Sequence, residues 1–264
     1  MRRKTTNVCV RAVRLGEFAF HLLRAVAIAA LVYPFIERPA RRRHIRRWSA
    51  QLLHILAVRL HATGTPPAGG ALLMVANHVS WLDICAINAF TPTRFVAKSE
   101  IRHWPLVGWL AACGDTLFVH RARRRHTRQI NDEMAAAMRA GDSFAVFPEG
   151  ATTHGDILLP FHTSLLQPAL ECEAPVYPVA IRYLRADASL CVEADYEGDK
   201  TLVESLLQLI TQPRVDLHLQ FLPPIDCKGM HRRELTDEAA RRIANALGLA
   251  APNRRVESGR GRTA

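Results

Sequence analysis

Short apolar runs alternate with longer mixed segments over residues 71–250 of the chain. The short runs predict β-strands at 71–76, 94–97, 116–119, 143–147, 175–183, 190–194 and 215–222. The longer segments predict helices at 80–90, 105–112, 124–139, 163–170, 201–210 and 235–247. Strands that alternate with helices are typical of α/β proteins. We therefore expect a single α/β domain with a mixed, mostly parallel sheet flanked by helices.

Two apolar segments precede this domain. The first covers residues 18–35 and is interrupted by His21 and Arg24, and the second, at 45–60, has a broad apolar side. A transmembrane helix needs about 20 predominantly apolar residues. The pair therefore predicts a helical membrane-anchoring hairpin that lies in one leaflet. A single membrane span is the alternative.

The positive charge is concentrated at the ends of the chain. Residues 1–47 carry twelve Lys or Arg against two Glu, so they contribute +10 to the formal net charge of +11. Basic residues beside an apolar segment are attracted to anionic lipids. No aromatic residues are interleaved with them as a stacking platform for bases. We therefore expect membrane lipids and no nucleic acid as partners.

The chain divides into three predicted parts. They are a basic membrane-associated hairpin (1–62), an α/β domain (63–250) and a disordered basic tail (251–264).

The cysteine pattern argues against a structural zinc site. The six cysteines include no C-x-x-C pair, and no histidine stands at metal-ligand spacing from them. They are scattered through apolar segments, as buried free thiols would be. We expect a reducing compartment, no metal and no bound cofactor. The free thiols together with the membrane-anchoring hairpin indicate the cytoplasmic face of a membrane.

Polar residues follow several of the predicted strands directly. They are Asn77-His78 with Asp83, then Lys98, then His120-Arg121, then Pro148-Glu149-Gly150. Ligands of open α/β sheets bind outside the carboxyl ends of the strands. These residues therefore predict one shared site.

His78 and Asp83 can form an imidazole–carboxylate pair. The carboxylate would accept the proton of one ring nitrogen, and the other nitrogen could take a proton from a substrate hydroxyl. The chain has no G-x-S-x-G nucleophile motif. This absence favours direct attack by an acceptor alcohol over an acyl-enzyme. On spacing alone, a structural histidine with satisfied hydrogen bonds is the alternative.

Two further residues have both a functional and a structural interpretation. Arg121 at a strand end suits bidentate recognition of phosphate or carboxylate, although a solvated surface arginine is common. Glu149 lies between Pro148 and Gly150, which form a rigid turn that would aim its carboxylate. A plain loop with a solvated glutamate is the alternative.

Taken together, these segments form an ordered pattern. It reads N-H-x-x-x-x-D, G-x-x-x-F-V-x-R, F-P-E-G and then Y-P-V-A-I at 177–181. In these four blocks the chain resembles the glycerolipid acyltransferases, the lysophosphatidic acid acyltransferases in particular, over roughly residues 70–185. The N-terminal hairpin fits the same family.

The resemblance implies transfer of a fatty acyl group from acyl-CoA or acyl carrier protein to the hydroxyl of a lysophospholipid. His78 would be the general base and Asp83 its orienting partner. Backbone N–H groups near 77–79 or Gly150 are candidate donors to the oxyanion. The implied substrate-binding residues are Asn77, which would also hold the turn, and Lys98, Arg121, Glu149, Gly150 and Thr152.

The third block departs from the common pattern F-P-E-G-T-R. Here Thr152 replaces the arginine, which removes a charge-assisted phosphate contact. Branches with this variant are similar to lyso-ornithine lipid acyltransferases. Lys98, Arg121 and the frequency of this acceptor in the family favour 1-acylglycerol-3-phosphate, which we expect as the acceptor. Thr152 favours the alternative, another lysolipid such as lyso-ornithine lipid, and an inactive lipid-binding relative is a third hypothesis.

Overall fold

A computed structural model describes residues 5–119 and 124–252, with the side chains of 124–127 left out. Arg121 and the basic tail from residue 253 onward lie outside the described residues. The disorder expected for that tail therefore stays a prediction.

The described residues form eight α-helices and seven β-strands. The helices are α1 (Val8–Leu31), α2 (Arg38–Ile55), α3 (Leu82–Phe90), α4 (Val107–Cys113), α5 (Arg124–Arg139), α6 (Gln167–Glu171), α7 (Leu202–Leu209) and α8 (Arg232–Leu247). The strands are β1 (Val58–Thr63), β2 (Leu72–Ala76), β3 (Arg94–Lys98), β4 (Leu117–Val119), β5 (Ser143–Val146), β6 (Val176–Leu184) and β7 (Val215–Phe221). Short 3-10 helices include Ser99–His103 and Val192–Ala194.

All of these strands belong to one sheet in the order β1-β7-β6-β2-β5-β3-β4. Every neighbouring pair is parallel except β6 and β7, which are antiparallel. Every residue of β2 and β5 is buried, as expected for central strands of a sheet that is covered on both faces. The prediction of an α/β fold with a mixed, mostly parallel sheet is confirmed.

Alternate residues of β2 face two separate cores. Leu72 and Met74 pack with α2, α3 and α7 on one face, whereas Leu73 and Val75 pack with α5, α6 and α8 on the other. This alternation follows from the period of two along a strand. The chain thus forms three layers, with the sheet in the middle.

The first two helices form a hairpin. His21 of α1 stacks on Trp48 of α2 with ring centroids 5.1 Å apart, and its Nε2 lies 3.0 Å from the Trp48 carbonyl oxygen. Arg24 donates to the Gln51 side chain. The two polar residues that interrupt the first apolar segment therefore face the neighbouring helix.

The start of α2 is fixed to the sheet by one buried carboxylate. Asp142, which precedes β5, accepts from Arg42 at 2.6 Å, from Arg94 at 2.9 Å and from Arg38 at 3.3 Å. Arg38 and Arg42 belong to α2 and Arg94 opens β3. The hairpin and the sheet are joined at this point.

Two predicted elements differ from the structure. The helix predicted over 45–60 ends at Ile55, because Ala57 adopts a left-handed conformation (φ 55°), and Val58 begins β1. The boundary that we drew between residues 62 and 63 falls inside this strand. The strand predicted at 190–194 was wrong, since Leu190 makes one isolated bridge to Leu184 and Val192–Ala194 is a 3-10 helix.

Candidate active site

The predicted site residues lie along one edge of the sheet. His78 follows β2, Glu149 follows β5, and Lys98 ends β3. Because these three strands are parallel neighbours, their carboxyl ends meet at the same edge. This arrangement places the first and third sequence blocks in direct contact.

His78 and Asp83 form the pair that the sequence predicts. The Nδ1 atom of His78 lies 2.8 Å from Asp83 Oδ2. The His78 side chain is 21% exposed, whereas Asp83 is completely buried. The imidazole therefore has one edge toward the carboxylate and remains open to a ligand.

The Asp83 carboxylate is held by several donors. Its Oδ2 also accepts from the backbone N–H groups of Val79 at 2.8 Å and Ser80 at 2.9 Å, and its Oδ1 accepts from the Tyr183 hydroxyl at 2.6 Å. Burial and the neighbouring Asp83 raise the pKa of Tyr183 well above its ordinary value, so Tyr183 stays a donor. A carboxylate that accepts all these bonds leaves Nδ1 of His78 as the protonated nitrogen and Nε2 as the basic one.

The third sequence block holds the histidine from the other side. The Phe147 ring stacks on His78 with centroids 4.0 Å apart. Glu149 accepts from the His78 N–H at 2.7 Å through Oε1 and from the Leu159 N–H at 2.8 Å through Oε2. Burial raises the pKa of Glu149 to about 7, although both backbone hydrogen bonds act to lower it. Both carboxylate oxygens thus bind the framework around His78.

Asn77 and the fourth block lie behind the dyad. The Asn77 side chain donates to the Ile181 carbonyl at 3.0 Å and accepts from the Ile181 N–H at 2.8 Å. Residues 177–181 belong to β6, which pairs with β2. In this structure Asn77 holds the turn against β6, and its assignment as a substrate-binding residue stays a prediction.

The remaining predicted substrate-binding residues are Lys98, Gly150, Thr152 and Arg121. Lys98 is exposed at the end of β3, and Gly150 adopts a left-handed conformation (φ 78°) that favours glycine. Thr152 donates its hydroxyl to the Tyr196 carbonyl. Arg121 lies outside the described residues, so its contact with the acceptor stays a prediction.

The backbone donors that we expected for the oxyanion have partners within the site. The N–H groups of His78 and Val79 donate to Glu149 and Asp83, and that of Gly150 donates to the Phe147 carbonyl at 3.2 Å. The structure therefore uses these groups to hold the turn.

The sequence analysis missed the segment at 195–197. The Tyr196 N–H donates to the Val79 carbonyl at 2.9 Å, next to His78. The ring nitrogens of His154 face Asp195 and Glu197, the latter at 2.8 Å, and the hydrogen bond to Asp195 is the main cause of a raised His154 pKa. About 40 residues of the chain separate His154 from Asp195 and Glu197. The sequence contains no pattern that indicates this contact.

Among the described residues, His154, Asp195 and Glu197 are also the one group close enough together to hold a metal ion. Carboxylates already face both ring nitrogens of His154, and the Lys200 ammonium pairs with Asp195. These contacts define an ion-pair cluster in which both carboxylates have a basic partner.

Comparison with known proteins identifies the class to which this fold and site belong. Residues 57–182 match the family described as Acyltransferase. The chain is 40% identical over 215 residues to the lyso-ornithine lipid O-acyltransferase of Pseudomonas aeruginosa, covering 81% of this chain and 82% of that protein. The chain therefore belongs to the acyltransferase family, and it is an enzyme that transfers acyl groups.

Two further relatives extend this result. The 1-acyl-sn-glycerol-3-phosphate acyltransferase of Neisseria meningitidis serogroup B is 34% identical over 157 residues, which are 60% of this chain and 61% of that protein. The crystal structure of the 1-acyl-sn-glycerophosphate acyltransferase of Thermotoga maritima matches 96% of this chain and 100% of its own, with a TM-score of 0.66 and 21% identity. The latter likeness shows that the fold is shared.

Proposed function

We propose that the enzyme acylates the free hydroxyl of a lysolipid directly, with His78 as the general base. The observation that carries this proposal is the 2.8 Å contact between His78 Nδ1 and Asp83 Oδ2. It leaves Nε2 of a partly exposed imidazole free to accept a proton. A positioned base of this kind contributes about 10²–10⁴-fold to a rate.

The reaction transfers one acyl group and one proton. Nε2 takes the proton of the acceptor hydroxyl while the hydroxyl oxygen bonds to the carbonyl carbon of an acyl thioester. The carbonyl oxygen carries the negative charge of the tetrahedral intermediate until the carbon–sulfur bond breaks. The departing sulfur takes the proton back from Nε2, so the products are a new ester and a free thiol. Asp83 stabilises the imidazolium in between.

The proposed donor is a thioester on CoA or acyl carrier protein, and the proposed mechanism needs no metal or bound cofactor. The proposed acceptor is a membrane lipid, and one feature of the chain fits association of the enzyme with a membrane. The segment Val8–Phe35 is long and apolar enough to cross a membrane, and only 11% of its apolar window is buried. We place the enzyme at the cytoplasmic face of the membrane.

The comparisons favour lyso-ornithine lipid as the acceptor, in preference to 1-acylglycerol-3-phosphate. Besides the Pseudomonas aeruginosa protein, the lyso-ornithine lipid O-acyltransferase of Brucella abortus is 34% identical over 183 residues, covering 65% of this chain and 68% of that protein. Thr152 supports the same acceptor, because its hydroxyl binds the Tyr196 carbonyl where the common motif has an arginine. A threonine supplies no positive charge to a phosphate.

The test is an acyl-transfer assay with both acceptors side by side. Purified membranes that carry wild type or His78→Ala receive labelled acyl-CoA or acyl carrier protein, with lyso-ornithine lipid or lysophosphatidic acid. We expect His78-dependent acylation of the ornithine acceptor. Equal or better transfer to lysophosphatidic acid would overturn the proposed acceptor, and transfer that survives in His78→Ala would overturn the proposed base.

A further inference from the structure

The exposed side of α4 and of the loop before it is entirely apolar. Within residues 104–113 the exposed side chains are Pro105, Leu106, Trp109 and Ala112. Leu106 is 45% exposed and Trp109 is 42% exposed. Large apolar residues grouped on one side of a surface helix mark an interaction surface.

The opposite side of α4 fixes this orientation. Gly108 is buried, and a Cβ atom there would lie 2.4 Å from the carbonyl oxygens of Ile101 and Arg102. Only glycine allows this close approach of the two backbones. The helix is therefore held against the 3-10 helix Ser99–His103, with Leu106 and Trp109 directed outward.

Leu106 also has an unusual backbone conformation. Its φ is 61°, in the left-handed region that bulky side chains rarely adopt. Strain of this kind persists where the surrounding structure imposes it, and it is found at functional sites. Here it presents an exposed leucine at the start of α4.

Basic side chains border the apolar surface. Lys98, Arg102 and His103 are exposed beside it, and Glu100 is the acidic member of the same border. Tryptophan at the head-group level, with Lys and Arg around an apolar face, is typical of segments that lie in a membrane interface. The charge is complementary to anionic lipids.

The position of α4 connects this surface to both the hairpin and the active site. The helix packs beside α1, which carries the exposed apolar residues Leu31 and Phe35 at and just beyond its end. The 3-10 helix Ser99–His103 and residues 104–106 connect α4 to β3, whose carboxyl end lies at the same edge of the sheet as His78. A lipid that leaves a bilayer at α4 would arrive at the edge where the dyad lies.

We propose that Leu106 and Trp109 of α4 insert into the surface of an anionic bilayer and form the place where the acceptor lipid enters. This proposal rests on the proposed function, which supplies a lipid acceptor. The occupant is the bilayer itself, at the boundary between head groups and acyl chains.

The first test locates Trp109 without any turnover. Full-length protein is bound to vesicles of phosphatidylethanolamine and phosphatidylglycerol that contain lipids brominated in the acyl chains. We expect bromolipid quenching of tryptophan fluorescence to fall in Trp109→Phe and to persist in Trp104→Phe, the half-buried neighbour. Equal quenching in wild type and Trp109→Phe would overturn the proposal, as would concentration-dependent self-association through this face.

The second test separates entry of the acceptor from chemistry. A Leu106→Gln, Trp109→Gln double variant is compared with Val203→Gln, Leu207→Gln, which changes two exposed apolar residues of α7. We expect about a tenfold lower kcat/KM for acceptor in vesicles with the α4 variant, and unchanged kcat/KM for a short-chain acceptor in solution. Equal losses in both variants, or none in the α4 variant, would overturn the proposal. Lack of wild-type activity on the acceptor in vesicles would instead contradict the proposed function.

Discussion

The Tyr183 hydroxyl lies 2.6 Å from Asp83 Oδ1, across the carboxylate from the His78 imidazole. One buried carboxylate therefore connects β6 to the candidate base. The tyrosine comes from the strand that contains the fourth sequence block, so this block supports the dyad through a side chain just beyond it.

Tyr183→Phe should lower activity while the site stays assembled. Removing one donor from a buried acceptor costs about 1–3 kcal/mol. We expect kcat/KM to fall by roughly tenfold and the melting temperature to fall by a few degrees, since a domain of this size loses about 2–4 °C per kcal/mol. Steady-state kinetics and thermal unfolding measure both. Wild-type kinetics in the variant would show that this hydrogen bond does not support the dyad.

His78→Ala should reduce turnover by about 10²–10⁴-fold, because the positioned base is lost. The backbone N–H that binds Glu149 remains, so the fold and sedimentation with liposomes should be unchanged. His162→Ala is the matched control, since this exposed histidine lies in the loop after the third block. Comparable losses in both variants would argue against a specific role for His78.

Glu149 should give the folded protein a distinctive dependence on pH. Its folded pKa of about 7 lies above the usual 4.5, so the folded state holds more protons than the unfolded state between these values. Stability relative to Glu149→Gln should therefore be greatest below pH 4.5 and fall by about 3 kcal/mol as the pH rises to 7. Denaturant unfolding of both proteins across this range measures the difference.

The same substitution tests whether Glu149 holds His78 or binds the acceptor. Glutamine offers one acceptor and one donor where the structure needs two acceptors. A role in holding His78 predicts a lower kcat with a similar KM for the acceptor. A higher KM with an unchanged kcat would indicate acceptor binding, as the sequence resemblance implied.

Thr152→Arg should shift acceptor preference toward phosphate. A guanidinium at this position adds a charge-assisted, often bidentate contact. We expect the ratio of kcat/KM for lysophosphatidic acid to that for lyso-ornithine lipid to rise by roughly tenfold. Ala151→Arg, which adds the same charge at the exposed neighbouring position, is the control. An equal shift in the control would mean that general charge near the site, and not position 152, sets the preference.

The sequence predicted those parts of the molecule that are local in the chain. The two residues of the dyad are five positions apart at one strand end, and Glu149 closely follows the short, mostly apolar strand β5. Parallel strands then bring both residues to one edge, so their contact could be expected.

The remaining contacts join distant segments. Tyr183 and Asp83 are 100 residues apart, and Tyr196 binds Val79 from a segment without regular secondary structure. β1 was missed because the preceding apolar segment continues into it. The helix ends at Ile55, before the left-handed backbone of Ala57, which the residue type does not reveal. Pairings of this kind are decided by tertiary packing.

Both ends of α2 are tied to the sheet. The N-terminal end is held through Arg38, Arg42 and Asp142, and the C-terminal end through the short connection to β1. The helix therefore holds these two attachments a fixed distance apart, about 27 Å for 18 residues at 1.5 Å each. Inserting or deleting one residue would rotate one attachment by about 100° relative to the other. With the proposed membrane association, a change in the tilt of the hairpin in a bilayer would therefore move the edge of the sheet that carries His78 with it.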